Sequence, residues 1–238
     1  MRNVYFPRQY GFTIIELMTA LTVGLLLTAG AAQIYLSSKQ TFRFGDNLSR
    51  LSEEGQFALD LMARDIRLAG FRNVTNIRNL PAPLPNAITG VEGLGLDGSD
   101  TITNSYDSNT DCVNNPVAVT TFNAYSLQLG LNGRKALFCN MTELIANVDD
   151  LQFTYGIDVN NDLSPDRYVN ADAIVNLQNI VSVRIGLLVS SAEDMVSLSQ
   201  DTKNYDVSGT SIGPLNDYRA RRVYSATVKI RNCLRNLC

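Results

Sequence analysis

The chain has 238 residues, 18% of them charged, a formal net charge of −3 and no histidine. Without histidine, the commonest general base and any Ser/His/Asp triad are missing. The 168 residues after Gly70 are enough for one domain with a core of its own.

A short polar leader carrying Arg2 and Arg8 opens the chain and reaches Gly11. From Phe12 to Leu36 there are 25 residues with one charge, Glu16, and no proline. As a helix they extend about 37 Å, enough to cross a hydrocarbon core of about 30 Å. A secretory signal would have a shorter apolar run closed by a small-residue cleavage site. No such site follows here, so the apolar segment is expected to stay in the mature chain. The leader arginines favour a cytoplasmic N-terminus. Glu16 is the anomaly, because a carboxylate in a bilayer is costly and usually has a functional partner. If the chain is cut after Gly11, Phe12 gains an α-amine one helical turn from Glu16, within a chain or between chains. The plain alternatives are a carboxylate that snorkels to the headgroups, or one that is protonated.

Gly11-Phe-Thr-Ile-Ile-Glu-Leu-Met18 resembles the processing site of type IV prepilins and type II secretion pseudopilins. The resemblance implies cleavage between Gly11 and Phe12 by a prepilin peptidase that also methylates Phe12. It further implies that Glu16 neutralises the N-terminus of a neighbouring subunit during assembly. Removal of the leader would leave 227 residues (238 − 11) and, with Arg2 and Arg8 gone, a charge of −5 (−3 − 2).

The helical period continues beyond the apolar run. Phe44, Leu48, Leu51, Gly55, Ala58, Met62, Ile66 and Ala69 recur in steps of three and four, one stripe of an amphipathic helix. Asp60 with Arg64, and Arg50 with Glu54, have i, i+4 spacing. Gly70 suits the stop. The expected helix of 57 residues divides into a transmembrane half, 12–36, and an amphipathic half, 37–70. The stripe is expected to pack on a sheet rather than in a coiled coil, since no heptad is sustained. Asp46–Leu59 and Ala63–Phe71 look like the corresponding segments of the PilW family of minor pilins, with related patterns in J-type pseudopilins.

Residues 71–238 form the expected periplasmic globular domain. Pro81, Pro83 and Pro85 mark an extended entry. Alternation then predicts strands over Leu151–Ile157, Val181–Val189 and Tyr224–Ile230. Tyr125–Leu129 and Lys135–Cys139 flank a turn at Leu131-Asn-Gly133. Short helices are expected at Thr142–Val148 and Ala171–Asn179. The class is α+β, one long N-terminal helix on an antiparallel sheet. The family resemblance implies the same shape, a pilin fold.

Cys112, Cys139, Cys233 and Cys238 all follow the apolar span. An even count in an oxidising compartment favours disulfides. Three connectivities are open, and local loop closure favours Cys112–Cys139 with Cys233–Cys238. Asp158, Asn160, Asp162 and Asp166 place oxygens at alternate positions, as calcium loops do. Leu163 stands where a turn glycine is expected and Val169 where a bidentate glutamate would be. The competing reading is a polar turn with Asx hydrogen bonds. Some pseudopilins bind calcium, and no other cofactor is expected. Gly90–Gly98 is glycine-rich but lacks phosphate-loop spacing, so it reads as a plain loop. The last twenty residues carry Arg219, Arg221, Arg222, Lys229, Arg231 and Arg235 and no acid. They read as a solvated sheet face; without an aromatic stacking platform, nucleic acid is not an expected partner.

The resemblance implies a structural minor pilin, not an enzyme, that primes pilus assembly in a tip complex with other minor pilins and supports motility and adhesion. Alternatives are a pseudopilus tip subunit for type II secretion, or an adhesin or DNA-uptake pilin. The implied partners are minor and major pilins, the prepilin peptidase, the inner-membrane assembly platform and a tip adhesin. The implied location is the inner membrane, single-pass with a periplasmic C-terminal domain, and then the pilus on the cell surface.

Overall fold

The computed structural model describes residues 11–73, 84, 86–194, 196, 197 and 199–232. The chain divides into two compact units, Met1–Gly45 and Asp46–Cys238. One α-helix, α1 (Ile14–Leu68, 55 residues), begins in the first and ends in the second.

In the first unit α1 is exposed on every side. It is long and apolar enough to cross a membrane by length and composition. Its start is chemically marked. Thr13 Oγ1 accepts from Glu16 N at 3.3 Å, while Glu16 Oε2 accepts from Thr13 N at 3.0 Å and from the Thr13 hydroxyl at 2.9 Å. This reciprocal capping box satisfies donors that the first turn leaves open.

In the second unit α1 buries Leu51, Gly55, Ala58, Met62 and Ile66, and Ala69 is buried just past its end. Gly55 is required by close approach, because a Cβ there would overlap the Tyr224 ring. Arg50 pairs with Asp46 at 3.1 Å rather than with Glu54. Arg64 Nε stands 3.5 Å from Asp65 instead of serving Asp60. The helix stops at Gly70, whose φ of +79° is the left-handed form that favours glycine at this position. Asn232 closes this end from the far side of the sequence. Its amide reaches the carbonyls of Arg67, Leu68 and Ala69 at 3.4, 3.1 and 3.3 Å.

Two antiparallel sheets follow. The first is a meander of β1 (Ile88–Val91), β2 (Thr101–Asp107), β3 (Thr120–Leu129), β4 (Lys135–Cys139) and β5 (Thr142–Ala146), in that order. The second contains β6 (Val148–Ile157), β7 (Arg167–Val169), β8 (Ile180–Ser190) and β11 (Arg221–Lys229), ordered β11-β8-β6-β7. A small ribbon of β9 (Tyr205–Val207) and β10 (Thr210–Ile212) lies in the connection between β8 and β11. One apolar cluster joins the second half of α1 to both sheets. β8 is buried at every residue but Arg184, because its Val183, Ile185 and Leu187 enter this cluster while the ribbon lies over Gly186. Asp100 ties the two sheets, accepting Gly93 N with one oxygen and Phe153 N with the other, each at 2.9 Å.

Several sequence expectations change here. Thr142–Val148 is strand, not helix: Thr142–Ala146 pairs with β4 and Val148 opens β6. A short apolar run carries no period that distinguishes the two, and the sheet neighbour decides. Ala171–Asn179 holds two separate 3₁₀ turns, Ala171–Ala173 and Leu177–Asn179, rather than one helix. The hairpin between β3 and β4 forms, with Leu129 opposite Lys135 and Gly133 at φ +72°. Pro81, Pro83 and Pro85 lie outside the described residues.

Candidate functional site

At the start of the chain's described part, Gly11 is exposed and Phe12 is 91% exposed. Neither residue of the peptide bond expected to be cut is buried by the rest of the described chain. The Glu16 carboxylate sits in the capping box with Thr13, at the head of α1. Chemically, a cut after Gly11 would create a positive amine beside this acid. The helix N-terminus would favour the carboxylate and disfavour the amine, so Glu16 is placed to offset that penalty. Thr13 was not among the expected site residues. Its signal, Thr-x-x-Glu ahead of an apolar run, is legible in the sequence.

A second polar site lies inside the domain. Asp65 is fully buried on the apolar side of α1. Its Oδ1 accepts the Tyr106 hydroxyl at 3.0 Å. Its Oδ2 accepts the Tyr125 hydroxyl at 2.6 Å and Asn123 Nδ2 at 2.7 Å. A buried carboxylate is tolerated when its charge is met by several donors. Burial first, and then the Asp65 charge, push both tyrosine hydroxyls well above their ordinary range, so they serve as donors. Asn123 is itself fully engaged. Its Oδ1 accepts Cys112 N at 3.1 Å and the Thr121 hydroxyl at 3.0 Å, and its Nδ2 also reaches the Tyr106 oxygen at 3.2 Å. Cys112 is bonded to Cys139 by a disulfide, and Cys139 stands opposite Tyr125 in the β3–β4 ladder. Helix, sheet and cross-link thus share one buried network. Cys233 and Cys238 lie outside the described residues.

The β6–β7 loop holds Asp158, Asn160, Asp162 and Asp166. Their oxygens are turned to the loop's own amides. Asp158 accepts Asn161 N at 2.7 Å and Leu163 N at 3.0 Å, Asp162 accepts Ser164 N at 2.8 Å, and Asp166 accepts Val159 N at 2.7 Å. Asn160 and Asp162 bond each other. Asn161 and Leu163 take positive φ values. Among the described residues no group of three or more His, Cys, Asp or Glu side chains is arranged to hold a metal ion. In this arrangement the four residues build an Asx-type turn.

The basic C-terminal stretch is not a uniformly solvated face. The Arg221 side chain is 3% exposed and meets Asp149 at 2.6 Å, Asp201 at 3.0 Å and Asp217 through two 2.5 Å bonds. Arg219 pairs with Asp194, which also takes Arg134. Arg222 lies over the Tyr224 ring. These acids come from segments before β11, out of view in a count of the tail alone.

A family profile described as Type IV Pilus-assembly protein W matches residues 99–232, more than half of the chain. One described as Prokaryotic N-terminal methylation motif matches residues 6–32. No curated protein sequence matches. Among solved structures, the type IV-like pilin TTHA1219 from Thermus thermophilus is 15% identical, with 78% of this chain and 98% of that one covered and a TM-score of 0.44. A chain of the GspK-GspI-GspJ complex of the enterotoxigenic Escherichia coli type 2 secretion system is 11% identical, with 73% and 96% covered and a TM-score of 0.33. Similarity at this level carries no argument about partners or activity.

Proposed function

The chain belongs to the family of type IV pilus-assembly protein W, pilin-like minor subunits, and from that premise we propose that it is a structural subunit that primes a type IV pilus. In this reading it is stored in the inner membrane by residues 12–36, with its domain in the periplasm. It enters the fibre at or near the tip with other minor pilins and the major pilin. Motility and adhesion follow indirectly, through pilus number. The peptidase removes residues 1–11 and methylates Phe12, and Glu16 receives the amine of a neighbour.

The observation that carries this reading is the head of α1. An exposed Gly11–Phe12 pair precedes a capped helix, and the single acid of the apolar span 12–36, Glu16, lies one turn further on, inside the methylation-motif match. A carboxylate there stabilises the first helical turn and is positioned for a new positive charge.

Two substitutions test it. Gly11→Leu should leave the leader in place, read as an unshifted mass of the membrane-extracted protein. Glu16→Ala should be processed normally and yet fail to restore surface pili in a deletion strain. Normal pilus number with Glu16→Ala would refute the assembly role. Scoring the deletion for type II secretion separates the pseudopilus alternative: lost secretion with intact pili would move the subunit to that machine.

A further inference from the structure

We propose that the Cys112–Cys139 disulfide and the docking of α1 on the first sheet are energetically coupled through Asn123 and Asp65. The coupling makes the helix latch complete only in the oxidised chain. The proposal rests on the reading above in one respect, that the domain resides where thiols are oxidised.

The coupling follows from the bonds of one amide. Asn123 holds Asp65 with its nitrogen and the Cys112 backbone with its oxygen. It has no rotamer that serves only one of them at full strength, because flipping the amide points a donor at the Cys112 N–H and an acceptor at the carboxylate. Asp65 is fully buried, so a lost donor is not replaced by water. The cross-link fixes residue 112 against Cys139, and Cys139 is locked in the ladder beside Tyr125, another donor to the same carboxylate. When the bond opens, the Cys112 segment is released from β4 and the Asn123 oxygen loses a fixed partner. The amide then keeps only its side-chain partners Thr121 and Tyr106 and holds the carboxylate less firmly, while Asp65 retains its two tyrosine donors. Neither group is an isolated detail of packing, since residues 65, 106, 112, 123, 125 and 139 form one connected set.

The redox step is ordinary exchange with a disulfide donor. The thiolate of one cysteine attacks a sulfur of oxidised glutathione and releases one reduced glutathione. The second thiolate attacks the mixed disulfide and releases another. Two thiols lose two protons and two electrons; the donor disulfide gains them. By linkage, whatever the bond contributes to the latch, the latch must contribute to the bond.

The test uses the full-length chain in detergent, carrying Cys233→Ser and Cys238→Ser so that one pair is followed. The Cys112–Cys139 pair is equilibrated in glutathione buffers and quantified by thiol trapping and mass. Asn123→Ala should shift the buffer ratio at half-reduction roughly tenfold toward easier reduction, within the usual range of coupling between sites. Asp65→Asn, which keeps the side-chain shape, should shift it in the same direction by less. It decides the matter should Asn123→Ala fail to fold. In the unsubstituted network, reduction should speed amide exchange over residues 62–68 of the helix. An unchanged buffer ratio in the folded variants would overturn the proposal. So would exchange over 62–68 that ignores reduction while the 112–139 loop responds. Neither result bears on pilus number, so failure here leaves the subunit assignment intact.

Discussion

Replacing Arg221 by methionine removes the cation that meets three carboxylates, those of Asp149, Asp201 and Asp217. The side chain of Arg221 is 3% exposed, and those of Asp149, Asp201 and Asp217 are 18%, 6% and 38% exposed. Methionine fills similar volume, so the loss is electrostatic rather than a cavity. Breaking a buried pair by deleting one partner costs about 3–5 kcal/mol, because the other charge stays behind. Asp217 is more than a third exposed and water screens it, which places the expected loss near the lower end, about 3 kcal/mol. For a domain of this size each kcal/mol moves the melting midpoint by about 2–4 °C, so the drop should be about 6–12 °C. The assay is thermal unfolding of the full-length chain in detergent at pH 7, followed by circular dichroism. The pH dependence supplies the sharper discrimination. The Arg221 hydrogen bonds first, against burial, and then the Arg219 amide and the charges of Arg221 and Arg219, hold the Asp217 carboxyl below its usual range. A depressed folded pKa gives stability that is present above the unfolded pKa, near 4, and lost as pH falls through the folded value. In Arg221→Met the Asp217 carboxyl loses its largest stabilising partner, keeps Arg219, and its pKa rises. Protonation then relieves the variant, and below about 4 it weakens the parent, so the two midpoints should converge as pH falls through about 4 and below. A difference below about 2 °C at pH 7, or one that widens in acid, would refute the reasoning.

Gly55→Ala and Gly45→Ala should move stability in opposite directions. Alanine gains about 1 kcal/mol of helix propensity at either site. At 55, however, the new methyl would overlap the Tyr224 ring, and overpacking costs about 1–3 kcal/mol. At 45 nothing stands within 4 Å. Denaturant midpoints read both, and a stabilised Gly55→Ala would contradict the close packing of helix on β11. Asp158→Ala should lower the stability of the domain by about 2 kcal/mol, because two loop amides lose a buried acceptor. Urea titration measures it, and a neutral result would show that the loop is not held by that carboxylate.

Much of the helix was readable because its period is long and repeated: Leu51, Ala58, Met62 and Ile66 fall on one stripe and are all buried. β6, β8 and β11 were readable for the same reason at period two, and the Asn-Gly turn fixed the β3–β4 hairpin. The buried networks were not. Asp65 lies three residues after Met62, in phase with the stripe, and only its charge interrupts the pattern. Its partners Tyr106, Asn123 and Tyr125 lie 41, 58 and 60 positions away, beyond the reach of any local period. Arg221 looked like one more cation in a basic tail, since Asp149, 72 positions earlier, meets it only through the sheet. The head of α1 carries the opposite lesson. The methylation-motif match over residues 6–32 and the Thr13–Glu16 cap are both local in sequence, and so lie within reach of a short pattern.

The carbonyls at the end of α1 are closed by Asn232, 163 to 165 positions later in sequence. The end of the helix is thus finished by a residue translated long after it. Until residue 232 emerges, the helix end has no such lid and the terminal turn can unwind. A truncation or bulky fusion placed just after β11 would therefore act far from its own position, loosening residues 67–69 as well as its own strand. Through that one amide, the end of the helix depends on the segment that follows β11.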